Sequence, residues 1–62
     1  MANLKEKRTE AGMTQKELAA KSKVNIRRIE YYEQGYKDIR KAAVETVEAL
    51  AKALGCSIEE II

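Results

Sequence analysis

The sequence predicts an all-α fold, a compact bundle of five helices in a single domain that spans residues 1–62. The 62-residue chain contains no proline, only three glycines and many Ala, Leu, Glu and Lys residues, a composition that favours helix. Recurrent helix start signals and apolar stripes at helical spacing indicate the same fold class. A chain of this length forms one small hydrophobic core.

Capping signals predict where the helices begin and end. Three pairs have capping-box spacing, in which the residue three positions into the helix reaches back to the cap: Asn3 with Glu6, Thr14 with Glu17, and Ser57 with Glu60. Asn25 is a favourable cap for a third helix that runs to Gly35. Gly12 and Gly55 end the first and fourth helices. Residues 36–42 are predicted to form an irregular connector.

Apolar residues at the helical period predict the buried face of each helix. The fourth helix, about 44–54, has the longest stripe and is expected to be the central packing element. The predicted core residues, in chain order, are Leu4, Ala11, Leu18, Ala19, Ile29, Tyr32, Val44, Val47, Leu50, Ala51, Leu54, Ile58 and either Ile61 or Ile62.

The residue types that are missing argue against an enzyme. The chain has no His and one Cys, which excludes His-based acid/base relays, His metal sites, CxxC zinc sites and an internal disulfide. No apolar run approaches the roughly 18 to 20 residues that span a bilayer. We therefore expect a cytoplasmic protein with no cofactor, metal, small-molecule ligand or membrane partner.

Charge is distributed unevenly along the chain. The net charge is only +2, but residues 1–42 hold eleven Lys/Arg and six Asp/Glu, whereas residues 43–62 hold one Lys and four Glu. A basic front and an acidic back indicate a polyanionic partner on one side.

The segment VNIRRIEYYEQG, residues 24–35, predicts a helix with two different faces. At about 100° per residue, Arg27, Tyr31 and Gln34 fall on one side. The opposite side carries Ile29, Tyr32 and Glu33, with Ile26 and Arg28 on the flanks. The outer face thus presents hydrogen-bonding groups that suit base edges, and arginine matches the two major-groove acceptors of guanine.

Residues 14–35, TQKELAAKSKVNIRRIEYYEQG, resemble the lambda-repressor-like (Cro-type, XRE) helix-turn-helix domain. The similarity extends through LKEKRTEAGMTQ before this segment and VEALAKALGCSIEEI after it. The resemblance implies a lambda-repressor-like bundle with its helix-turn-helix at 14–35, and a recognition helix, 25–34, that lies in the major groove of double-stranded DNA. It also implies a cytoplasmic regulator of bacterial or phage type, with repression by operator occupancy as the expected mode.

The resemblance also implies roles for individual residues. Base contacts are expected from Ile26, Arg27 and Tyr31, and the flanking Arg28 is expected to reach either a base or a phosphate. Gln15 is expected to contact a phosphate or to help orient the reading helix, and Tyr36, Lys37 and Arg40 match a loop that usually contacts the DNA backbone. The free amides near Thr14 suit a phosphate. Lys23, which departs from the family pattern, is expected either to reach a phosphate or to reshape the turn. Arg8 and Glu33 match a pair that forms a partly buried salt bridge between the first and third helices in relatives.

Two departures from the family pattern keep other functions open. Lys23 stands where relatives have a glycine in the turn between the two helices, and Ala43 stands where they often have a Ser or Thr cap. These exchanges leave open an engineered DNA binder with a redesigned reading surface and no physiological gene target. An antitoxin-like module that keeps the fold without binding DNA is a further alternative. Neither the operator sequence nor the choice between monomer and homodimer follows from the sequence.

Overall fold

The computed structural model describes residues 4–62, which form four α-helices and two short 3-10 turns, with no strand in that range. The helices are α1 (Leu4–Glu10), α2 (Gln15–Ser22), α3 (Ile26–Gln34) and α4 (Val44–Leu54). The 3-10 turns are Ile39–Lys41, within the predicted connector, and Ile58–Glu60. The prediction of an all-α fold is confirmed. No described helix is both long and apolar enough to cross a membrane.

The prediction of a fifth helix is wrong. The segment after Ser57 forms one 3-10 turn, because the amides of Glu60 and Ile61 donate to carbonyls only three residues back, over 3.1 and 3.0 Å. The chain then buries Ile61 completely. A single turn therefore suffices to bring this apolar side chain into the core.

Side-chain caps mark the starts of α2 and α3. Thr14 and Glu17 form the predicted capping box: the Glu17 amide donates to Thr14 Oγ1 over 3.0 Å, and the Thr14 amide donates to Glu17 Oε1 over 2.8 Å. Asn25 Oδ1 accepts from the Arg27 amide over 2.8 Å. The proposed cap at Asn3 lies outside the described residues. These caps satisfy amides that the helices themselves leave unbonded.

The core lies between α4 and α2, with α3 packed against α2. The buried hydrophobic residues are Leu4, Leu18, Ile29, Tyr32, Ile39, Val47, Leu50, Ala51, Ala53 and Ile61. Ala11 and Val44, which were predicted to be in the core, are exposed. Ala11 follows the last residue of α1, and Val44 is the first residue of α4, so both lie at helix ends that are outside the core. Ile39 fills the core from the connector instead.

Both residues that depart from the family pattern, Lys23 and Ala43, affect the local structure. Lys23 is the one non-glycine residue of the described chain with a left-handed backbone, at φ 62°, so the turn keeps the glycine-type conformation despite its side chain. Such a conformation costs a non-glycine residue about 1 kcal/mol. Ala43 precedes α4 without a side-chain cap. Both exchanges are therefore expected to lower stability, the first through left-handed strain and the second through the absent cap.

Candidate nucleic-acid interface

The outer face of α3 presents its cations to solvent. Arg27 and Arg28 are exposed, while Ile26 and Tyr31 are half-buried. Ile29, on the opposite face, is completely buried. The helix is thus held by one side and leaves the other side available for a partner.

A buried carboxylate fixes the orientation of α3. Only 3% of the Glu33 side chain is exposed, and Arg8 donates to it twice, from Nε over 2.7 Å and from Nη2 over 3.0 Å. Gln15 Nε2 adds a third hydrogen bond over 3.0 Å. Arg8 Nη1 also donates to the Met13 carbonyl over 2.8 Å. The hydrogen bonds to Glu33 raise the pKa of Arg8, which remains a cation. One carboxylate therefore joins α1, the start of α2 and α3.

The residues at the start of α2 are partly engaged within the protein. The Thr14 hydroxyl accepts from the Glu17 amide, and the Gln15 amide group is held by Glu33. Thr14 is nevertheless exposed and Gln15 half-exposed. The amides of the first turn of α2 carry the positive end of the helix dipole, an arrangement that favours an anion.

The loop after Gly35 carries three of the expected phosphate contacts. Tyr36 is 74% exposed, and Lys37 and Arg40 are also exposed. Arg40 is, however, paired within the loop: its Nε and Nη2 donate to the two carboxylate oxygens of Asp38, each over 3.1 Å. Hydrogen bonding from Arg40 lowers the pKa of Asp38. An anionic partner must therefore compete with Asp38 for this guanidinium.

Two residues beside this surface, Lys16 and Asp38, were not predicted from the sequence. An open, mostly apolar groove between α2 and α3 is lined by Lys16 and Lys23 together with Ala20, Val24 and Ile26. Lys16 lies in the first turn of α2, and its spacing along the helix does not predict that it lines the same groove as Lys23. Asp38 was missed because its partner lies two residues away in an irregular loop, where no helical spacing applies.

The described site residues fall into connected groups. Lys23 borders the same groove as Ile26, and Tyr31 contacts Tyr36 and Lys37 from the loop. Two consecutive helices, α2 and α3, are packed against each other and joined by a turn of three residues. This arrangement is a helix-turn-helix, and its exposed side carries basic and polar groups.

Comparison with known families agrees with this geometry. The helix-turn-helix family model HTH_3 matches residues 4–61, which is nearly the whole chain. The chain therefore belongs to the helix-turn-helix family of XRE or lambda-repressor-like type, a family of DNA-binding regulatory domains that are typically not enzymes. No curated protein and no solved structure gives a significant match.

Proposed function

We propose that this chain binds double-stranded DNA sequence-specifically, with α3 in the major groove, and represses transcription by occupying an operator. The observation that carries the proposal is the division of α3 into a packed side, anchored by Ile29 and Glu33, and an outer side with exposed Arg27 and Arg28. A major groove about 12 Å wide admits such a helix. The fixed inner side holds the outer side chains at a defined angle to the bases.

In this proposal the outer residues of α3 read the base edges. Arg27 and Arg28 are fork-shaped donors that suit guanine, and the half-buried Ile26 offers an apolar contact for a thymine methyl group. Tyr31 adds a hydroxyl and a ring. Each good contact of this kind discriminates against a wrong base by about 1–3 kcal/mol.

Phosphate contacts on both sides of α3 would set its register on the duplex. On one side are the start of α2, with Thr14 and Gln15, and the turn with Lys23. On the other side is the loop with Tyr36, Lys37 and Arg40. Such contacts raise the affinity for all sequences alike and fix the orientation of the reading helix.

Selection from randomised duplexes with the purified protein tests the proposal. We expect an enriched sequence, and an affinity that falls with salt by a slope of about −0.9 per phosphate neutralised. A palindromic sequence would indicate a dimer with two half-sites about one helical turn apart. A short asymmetric sequence would indicate a monomer. Absence of salt-sensitive duplex binding at low ionic strength would refute the proposal and favour a protein-interaction module.

Single substitutions separate base readers from phosphate contacts. We expect Arg27→Ala to relax the base preference at one position, whereas Lys37→Ala weakens binding to all duplexes and reduces the salt slope by about one. Lys52→Ala, an equal loss of charge at an exposed position of α4, is the matched control and should change neither property. An identical effect of the three substitutions would show that only net charge matters.

A further inference from the structure

Three amides of the loop after α3 converge on one carbonyl of the reading helix. The Tyr31 carbonyl accepts from the Gly35 amide, from the Tyr36 amide over 2.9 Å and from the Lys37 amide over 3.3 Å. Gly35 makes the reversal with a left-handed backbone at φ 84°, a conformation that glycine adopts without strain. The loop is therefore folded back onto the same residue whose side chain faces outward.

The side chains of this loop border the Tyr31 ring. The rings of Tyr31 and Tyr36 meet edge to face, with centroids 5.9 Å apart and planes inclined by 70°. Lys37 Nζ lies 5.9 Å from the centroid of the Tyr31 ring. Both arrangements are attractive, since an aromatic ring has a negative face and a positive edge.

The exposure of the two rings indicates that Tyr36 positions Tyr31, and not the reverse. Tyr31 is half-buried, whereas Tyr36 is 74% exposed and contributes little to the core. A tyrosine on the outside of a helix has several rotamers available, and the neighbouring ring favours the one in which the edge-to-face contact forms. The position of the Tyr31 hydroxyl thus depends on a residue that need not touch a base.

We propose that Tyr36 is a positioning residue that sets the base preference of Tyr31 through ring contact. The inference rests on the proposed DNA-binding function and deepens it, because it assigns specificity to a loop residue that the family resemblance links to the DNA backbone. A phosphate contact would act through the Tyr36 hydroxyl, whereas positioning acts through its ring. The two roles therefore predict different results for removing the hydroxyl and for removing the ring.

The test compares Tyr36→Phe, which keeps the ring, with Tyr36→Ala, which removes it. The base pair read by Tyr31 is first identified as the one whose preference is lost in Tyr31→Ala, and the pair read by Arg27 serves as the internal control. We expect Tyr36→Phe to keep the ratio of affinities for right and wrong base pairs at the Tyr31 position. We expect Tyr36→Ala to reduce that ratio about three- to tenfold and to leave the Arg27 ratio unchanged.

Two further measurements exclude indirect effects. Thermal unfolding should be similar for both Tyr36 variants, since the side chain is largely exposed. In the free protein, the Tyr31 ring-proton chemical shifts should stay in Tyr36→Phe and move in Tyr36→Ala, because only the latter removes the ring current. Combining Tyr36→Ala with Tyr31→Ala should lower the ratio no further than Tyr31→Ala alone.

Several outcomes would overturn the inference. These are an unchanged ratio in Tyr36→Ala, an equal loss in Tyr36→Phe, an equal loss at the Arg27 position, or no base pair that depends on Tyr31. In each case duplex binding by the unchanged protein persists, so the proposed function itself stands. Absence of duplex binding by the unchanged protein would overturn both proposals.

Discussion

Removal of the Glu33 carboxylate should destabilise the fold far more than removal of an exposed carboxylate. Glu33→Ala deletes three hydrogen bonds, two from Arg8 and one from Gln15. It also leaves the Arg8 cation, whose side chain is 14% exposed in the folded protein, without its carboxylate partner. Breaking a buried ion pair by removing one partner costs about 3–5 kcal/mol. Since Arg8 retains some access to water, we expect a loss of about 2–3 kcal/mol in the free energy of unfolding.

Thermal and urea unfolding, followed by circular dichroism, measure this loss. For a domain of this size, 1 kcal/mol corresponds to about 4–8 °C, so Glu33→Ala should lower Tm by about 10–20 °C. Glu59→Ala, an exposed carboxylate outside any described ion pair, is the matched control and should change the free energy by less than about 0.5 kcal/mol. Equal effects of the two substitutions would refute the role assigned to Glu33. Replacing both Arg8 and Glu33 by apolar residues should cost less than Glu33→Ala alone, since no buried charge is then left unpaired.

Three further substitutions test the turn, the loop and the acid response. Lys23→Gly should relieve the left-handed strain and raise the free energy of unfolding by about 0.5–1 kcal/mol, and urea denaturation measures it; a loss of stability would contradict the strain. Asp38→Asn should free Arg40 and tighten binding to all duplexes alike in titrations at low salt, and unchanged affinity would show that Arg40 contacts no phosphate. The backbone hydrogen bond from Ser57 lowers the pKa of Glu60 in the folded protein below its ordinary 4.5. The ionised Glu60 therefore stabilises the fold fully above pH 4.5, and this stabilisation is lost as the pH falls through the pKa of the folded state. Glu60→Gln should therefore unfold with a weaker dependence on pH in the acid range, and an unchanged pH profile would count against this linkage.

The helix starts and the two faces of α3 could be predicted because they depend on local sequence. Capping residues act on amides two or three positions away, so Thr14 and Asn25 mark helix starts directly. The helical period likewise separates Ile29 from Arg27 without knowledge of the rest of the fold. The contact between Arg8 and Glu33 spans 25 residues, and only the resemblance to a known family pointed to it.

Other features depend on where each element enters or leaves the core, which the period does not specify. Val44 lies in phase with the buried residues of α4, yet the helix begins outside the core and leaves it 67% exposed. Ile39 is buried from a connector that has no period at all. The contact between Tyr31 and Tyr36 and the pair between Asp38 and Arg40 arise from the path of the loop. Such contacts become visible only when the backbone is known.

The split of α3 into an anchored side and an exposed side has a consequence for mutational robustness. Arg27 and Arg28 make no described side-chain hydrogen bond or ion pair within the protein and are exposed. Substitutions at such positions typically change stability by no more than about 0.5 kcal/mol. Many variants at these two positions should therefore remain folded while differing in what they bind. Under the proposed function, single substitutions at Arg27 or Arg28 should therefore change the base preference while the protein stays folded.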